Sequence, residues 1–214
     1  MNKDEFKKYS KGLQLSEVKP SIYALCDFEL LQSKNISLEK FLEICKILDV
    51  KIIQYRDKVN SLTIQKENLT FLKNNCNLPI IINDKIDLID YADGLHIGQE
   101  DLDSYVKGNK TLSIKLIRKK IKDKILGIST HDEIEILEAN ALDIDYIGLG
   151  AYRTTTTKDV NNQLGDKLPY LAKISHHIVC AIGGVKIDDV IENTAFNVIG
   201  SGLYTNIRSD DGKN

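Results

Sequence analysis

One pattern constrains this chain more than any other: short apolar, β-branched runs alternate with helix-periodic stretches eight times. The runs are SIYALCD at 21–27, KIIQYR at 51–56, PIIIN at 79–83, GLHIGQ at 94–99, KILGIST at 124–130, DYIGLG at 145–150, IVCAIG at 178–183 and NVIGS at 197–201. Near-continuous apolar runs of this length suit strands buried on both faces, the situation of a parallel sheet. The intervening stretches carry helical signals. In SLEKFLEICKIL, Ser37 stands at a cap position and Leu38, Phe41, Leu42, Cys45 and Leu48 form one stripe. Further helices are expected at 62–74, 86–91, 113–122 (basic and solvated), 131–141, 168–175 and 187–193. Eight β-α units in 214 residues predict an α/β fold, a single-domain (β/α)8 TIM barrel, with a doubly wound open sheet as the alternative.

Residues 1–19 precede the first run and carry Phe6, Tyr9 and Leu13 at helical spacing, so they read as an N-terminal helical arm. The barrel catalytic domain is expected over 20–206, and 207–214 as a disordered tail. After Gly202 only LYTNIRSDDGKN remains, so the last barrel helix is expected to be short or missing, with the arm covering the flank it leaves bare.

Charge narrows the partners. The 29 basic and 31 acidic residues are interspersed and nearly cancel, at net −2, which argues against nucleic acid and anionic membranes. No apolar window is long enough to span a bilayer, and no apolar stretch follows the basic amino terminus as in a secretory signal. The expectation is a cytoplasmic protein acting on small molecules, with room for a homo-oligomer. The four cysteines lack CxxC spacing and read as free thiols.

Polar and glycine-rich residues gather just after the carboxyl ends of the runs, the rim where such barrels carry their chemistry. Alternation along Gln54-Tyr55-Arg56-Asp57-Lys58 sends Gln54, Arg56 and Lys58 to one side. Asn83-Asp84 and Asp101 follow the third and fourth runs, where two carboxylates could share a magnesium ion completed by substrate phosphates. The plainer alternatives are a helix cap at Asp84 and a turn at Asp101. His96 suits a hydrogen-bonded core position as well as a catalytic one, and Ser129 a helix cap as well as a substrate contact. The loop from 151 to 165 is the longest, and Arg153-Thr154-Thr155-Thr156-Thr157-Lys158 within it could grip an anion. Gly183-Gly184 and Gly200-Ser201-Gly202 follow the seventh and eighth runs, the habitual phosphate site of these barrels.

Taken in order, QYRDK, IINDKIDL, ADGLHIGQEDL, LGISTH, DYIGLG, TTTTK and AIGGV resemble the thiamine phosphate synthase family, which also includes thiazole tautomerase relatives. The resemblance spans roughly residues 21–202. It implies a thiamine-biosynthetic transferase that joins an aminopyrimidine methyl diphosphate to a thiazole ethyl phosphate, or its carboxylated form, releasing pyrophosphate. By that resemblance Arg56, Lys58 and Lys158 are the catalytic cations. Gln54, Tyr55, Asp57, Asn83 and Ser129 join them on the pyrimidine diphosphate. Thr155, Thr156, Thr157, Gly184, Ser201 and Gly202 take the thiazole phosphate, with Gly200 as the alternative to Gly202. Asp84 and Asp101 hold one Mg2+ per subunit. The loop departs from the family's GPxxPTxTK: it reads GAYRTTTTK, with Ala151 and Thr154 where prolines are common. Arg153 adds a charge there, which implies altered thiazole selection. A thiazole tautomerase-like protein and a catalytically silent thiazole-phosphate-binding barrel stand as alternative readings.

Overall fold

In the computed structural model, which describes residues 3–14, 19–154 and 163–205, the eight runs form eight strands closed in chain order. They are β1 (Ser21–Asp27), β2 (Ile52–Arg56), β3 (Ile80–Asn83), β4 (Gly94–Ile97), β5 (Ile125–Thr130), β6 (Tyr146–Leu149), β7 (Ile178–Ala181) and β8 (Phe196–Ile199). Every neighbouring pair is parallel, and β8 returns to β1 with Phe196 opposite Ser21 and Val198 opposite Tyr23. The (β/α)8 barrel is the observed fold; the open sheet is not.

Alternation along each strand divides the apolar side chains between two cores. Tyr23, Ile52, Ile81, Ile125, Tyr146 and Phe196 fill the barrel interior. Their neighbours Ala24, Ile53, Ile82, Leu126 and Ile147 belong to the layer beneath the helices. Both faces are buried, so the strands read as continuous apolar runs in the sequence. Gly127 has a particular job in the interior: a Cβ there would sit 2.1 Å from Cζ of Tyr146. Its missing side chain lets that tyrosine lie across the barrel.

Eight α-helices are described: α1 (Lys3–Gln14), α2 (Phe28–Ser33), α3 (Leu38–Ile47), α4 (Leu62–Asn75), α5 (Gln99–Tyr105), α6 (Lys110–Ile121), α7 (Glu133–Ala139) and α8 (Leu168–Ile174). Side-chain caps fix their starts. Ser37 accepts from Lys40 N at 3.2 Å, Asn109 from Leu112 N at 3.0 Å and Asp132 from Glu135 N at 2.9 Å. Residues 86–91 form a 3-10 turn. Three departures have physical causes. Helix α2 arises because Asp27, at the end of β1, accepts from Leu30 N at 3.1 Å and caps a new turn. Helix α6 is not simply solvated; Ser113, Ile114, Ile117 and Ile121 form a buried stripe among its lysines. The helix expected at 187–193 is replaced by turns. There Asn197 Nδ2 donates to the carbonyls of Asp189 (2.9 Å) and Lys186 (3.3 Å), and Lys186 O also accepts from Asp189 N at 3.2 Å, a set of bonds that holds the segment as turns.

The arm does not cover a flank of the barrel. Helix α1 closes the barrel floor, at the end where the strands begin. Phe6 is fully buried, stacked on Phe196 with ring centroids 6.2 Å apart and tilted against Tyr146 at 5.7 Å. Lys7 Nζ lies 2.9 Å from Asp145 Oδ1, just ahead of β6. The reason is the open floor itself, where the aromatic rings at the starts of β6 and β8 need an apolar plug. After β8 comes a 3-10 turn over Ser201–Tyr204, and residues 206–214 lie outside the described residues. Among the described residues no helix is long and apolar enough to cross a membrane.

Candidate active site

At the carboxyl end of the strands a cavity of about 670 Å³ opens, and most of the residues singled out from the sequence line it. Gln54, Arg56 and Lys58 come from β2 and the turn after it; Asn83 from the end of β3 and Asp84 just after it; Asp101 from the first turn of α5; Ser129 from β5. Gly184 follows β7, and Gly200, Ser201 and Gly202 follow β8. Thr155, Thr156, Thr157 and Lys158 lie outside the described residues. Two expected contacts are corrected. Tyr55 and Asp57 do not line the cavity, because alternation turns them toward the helices. Tyr55 Oη donates to Asp57 Oδ2 at 2.7 Å, and Asn68 donates to the same hydroxyl at 2.9 Å. Asp57 also accepts from the amides of Val59 and Asn60, which shapes the turn that aims Lys58. Burial pushes the Asp57 carboxyl up, but the donors from Asn60, Tyr55 and Val59 outweigh it and hold it below the usual range.

Arg56 is not a bare cation. Its guanidinium donates to Asp27, and Glu29 Oε2 lies 3.9 Å away. Asp27 thus both starts α2 and orients Arg56 toward the rim, a role the sequence did not signal. On the opposite wall, Gln99 Nε2 donates to the Ser129 carbonyl at 2.5 Å, while Gln99 Oε1 is buried with no hydrogen-bond partner among the described residues.

Asp84 is the electrostatic centre of the site. Its backbone takes φ of 61°, a left-handed conformation that Asp adopts more readily than most non-glycine residues. Asp84 Oδ1 accepts from Gly98 N at 3.2 Å and its other oxygen from Asn83, so it ties the ends of β3 and β4 together rather than capping the turn at 86–91. Burial, then the nearby charge of Asp101, raise the Asp84 carboxyl above its ordinary value; Lys58 acts in the opposite direction. A buried carboxylate held beside a second one, as Asp84 is beside Asp101, is the kind of group a divalent cation relieves. Among the described residues no group of three or more His, Cys, Asp or Glu is placed to hold a metal. Asp84 and Asp101 are only two carboxylates, so a cation held there would need its remaining sites filled by substrate oxygens and water.

The far wall is built from glycine loops. Gly183 and Gly184 have φ of 82° and 66°, and a Cβ on Gly184 would lie 2.7 Å from the Thr154 carbonyl. Only glycine allows the 151–154 segment to pack there, through Tyr152 N to Ile182 O (2.9 Å) and Arg153 N to Gly183 O (2.8 Å). Thr154 lines the cavity, whereas Arg153 turns away. Its guanidinium stacks over Tyr152 at 4.2 Å and pairs with Asp189, so it does not add a charge to the cavity.

His96 also sits in this cavity, buried between Tyr146 and Ser129. Burial lowers it to about 4, so it is a neutral hydrogen-bonding group.

Comparison with known proteins agrees with this architecture. The family model described as "Thiamine monophosphate synthase" matches residues 22–205. A thiamine-phosphate synthase from Persephonella marina is 35% identical over 188 residues, covering 83% of this chain and 84% of that protein. One from Lawsonia intracellularis is 34% identical over 196 residues, covering 84% and 82%. Among solved structures, thiamine phosphate pyrophosphorylase from Pyrococcus furiosus superposes with a TM-score of 0.63 at 20% identity, covering 86% of this chain and 87% of that one. The orotidine 5'-monophosphate decarboxylase of Methanocaldococcus jannaschii shares the fold at TM-score 0.58 and 16% identity, with 86% and 91% covered. Sequence and fold together place the chain in the thiamine monophosphate synthase family.

Proposed function

We propose that this thiamine-phosphate synthase uses the rim cavity to condense 4-amino-2-methyl-5-(diphosphomethyl)pyrimidine with 4-methyl-5-(2-phosphoethyl)thiazole, or its carboxylated form. The observation that carries the reading is the convergence of Arg56, Lys58, Asp84 and Asp101 on one side of a single cavity whose other wall is the glycine loops at 183–184 and 200–202. One side suits a leaving diphosphate, the other the phosphate of the incoming thiazole.

Loss of the diphosphate leaves positive charge on the pyrimidine methylene, which the electron-rich aminopyrimidine ring spreads. The residues then have two tasks: to neutralise the leaving group and to exclude water. Arg56, oriented by Asp27, and Lys58 meet the diphosphate oxygens, with Lys158 joining from the loop. Asp84 and Asp101 would hold Mg2+, which would supply further charge neutralisation at the diphosphate. Asn83, Gln54 and Ser129 orient the pyrimidine. Gly184, Ser201 and Gly202 offer backbone N–H groups to the thiazole phosphate, with Thr155, Thr156 and Thr157 completing the grip. The thiazole nitrogen attacks the methylene carbon, and the new C–N bond replaces the C–O bond to the diphosphate. No covalent enzyme intermediate is required. The two-carboxylate rim favours this reading over a thiazole tautomerase-like or silent barrel, neither of which handles a diphosphate. Four free cysteines accord with a reducing, cytoplasmic setting.

The test is oxidation of reaction mixtures to the fluorescent thiochrome phosphate. Signal that appears only when both organic substrates are supplied supports the synthase; binding of the thiazole phosphate with no such product supports a silent barrel.

A further inference from the structure

Five polar side chains from five strands form an unbroken line beneath the cavity. Gln54 Nε2 lies 3.0 Å from Tyr23 Oη, and that hydroxyl lies 3.0 Å from Tyr146 Oη. Tyr146 Oη is 3.0 Å from His96 Nδ1, and His96 Nε2 is 3.1 Å from Ser129 Oγ. The two tyrosines at the middle of the line are sealed from solvent, each 1% exposed. Gln54 and Ser129 at its ends, and the His96 ring beside Ser129, line the cavity. Burial keeps both phenols protonated and the imidazole neutral at physiological pH.

Proton counting restricts such a line severely. Each hydroxyl has one proton, and a neutral imidazole has one donor and one acceptor nitrogen. In one complete arrangement the Gln54 amide donates to Tyr23, Tyr23 to Tyr146, Tyr146 to His96 Nδ1, and His96 Nε2–H to Ser129. The Gln54 carbonyl and the Ser129 proton are then left for the cavity. In the other, every bond is reversed, and the cavity meets the Gln54 amide protons and a Ser129 lone pair. Any mixture strands a proton or sets two lone pairs face to face at the sealed tyrosine hydroxyls, which is penalised there.

We propose that this relay couples the two ends, so that Ser129 offers a proton only when Gln54 offers a carbonyl, making Tyr23 and Tyr146 positioning residues for the pyrimidine. The proposal rests on the aminopyrimidine reading above: an exocyclic amine beside a ring nitrogen asks for one acceptor and one donor. The structure has Gln54 Nε2 toward Tyr23, which is the arrangement that supplies them.

The relay has a direct readout in the tautomer of His96, followed by 15N NMR of histidine-labelled protein and assigned among the four histidines with His96→Gln. Wild-type protein shows the Nε2–H tautomer, and the bound pyrimidine diphosphate leaves it there. Tyr146→Phe keeps the ring against Phe6 and His96 and removes only the hydroxyl. It makes the tautomer mixed or reversed and raises KM for the pyrimidine diphosphate about tenfold, the net worth of one hydrogen bond, while KM for the thiazole phosphate holds. Tyr23→Phe, which does not touch His96, shifts the tautomer in the same direction. A wild-type His96 protonated on Nδ1 in the complex, or a tautomer unmoved by both variants, overturns the proposal. Absence of turnover in the wild type sinks the functional reading alone, because the tautomer comparison is also made on ligand-free protein and still decides the relay.

Discussion

Arg153 grips Asp189 through two hydrogen bonds, Nη1 to Oδ2 at 2.5 Å and Nη2 to Oδ1 at 3.0 Å, and so ties the segment after β6 to the loop after β7. The same carboxylate accepts from Lys186 N at 2.7 Å, and Arg153 also reaches the Gly184 carbonyl at 3.2 Å. An ion pair thus fastens the segment that carries Thr154 to the loop that carries Gly184. Arg153→Gln is expected to raise KM for the thiazole phosphate about fivefold, as loss of a partly exposed pair worth roughly 1 kcal/mol implies. The charge-swapped double variant Arg153→Asp/Asp189→Arg recovers part of that loss. Steady-state kinetics of the three proteins check it; equal KM values would show that the pair does not position the rim.

Asp101→Asn separates stability from function. Because burial and Asp101 raise the folded-state value of Asp84 above its unfolded one, keeping Asp84 ionised costs stability as pH rises through that folded value. Removing the Asp101 charge relieves part of the cost. Without divalent cations at pH 7 the variant is expected to melt at a higher temperature than the wild type, while its turnover falls at least about a hundredfold. Thermal melts and rates on the same preparations decide this. A variant that melts lower and turns over normally would contradict the assignment of the pair.

The buried histidines set an acid limit. His96, at about 4, and His177, lowered chiefly by burial, bind protons more weakly folded than unfolded. Below the unfolded value of about 6.5 the unfolded chain holds more protons, so stability falls as pH drops. For His96 the loss reaches roughly 3 kcal/mol by pH 4. Denaturant melts between pH 7.5 and 4.5 follow the slope. His177→Gln flattens it, and an unchanged slope would remove His177 from the account.

Phe6→Ala tests the floor plug. Phe6 is buried against Phe196 and Tyr146 at the opposite end of the barrel from the cavity. The truncation is expected to cost about 3 kcal/mol, as for other buried aromatics, with KM values intact. Unchanged stability would mean that α1 does not close the barrel.

The barrel was legible in the sequence because its strands are buried on both faces and therefore read as bare apolar runs. The cavity was legible because strand alternation alone puts Gln54, Arg56 and Lys58 together and turns Tyr55 and Asp57 away. Other features depend on contacts between distant residues. Tyr23 and Tyr146 are 123 positions apart, and nothing local to either marks it as a hydrogen-bonded partner of the other. Asp27 looks like the end of a strand until Arg56 meets it. The stretch 187–193 has helical spacing, yet the side chain of Asn197, which lies beyond it in β8, bonds the carbonyl of Asp189 and that of Lys186 just ahead of it. The arm had a readable helix but no readable destination, since Phe6 carries no sign of which apolar surface it covers.

The most direct test of the central claim, that Asp84 and Asp101 serve a leaving diphosphate, is to follow thiamine phosphate and pyrophosphate together while titrating magnesium. Wild-type protein is expected to form the two products one to one, with a rate that rises with magnesium and vanishes on chelation. Product formation that persists unchanged under chelation, or pyrophosphate released without thiamine phosphate, would contradict the account.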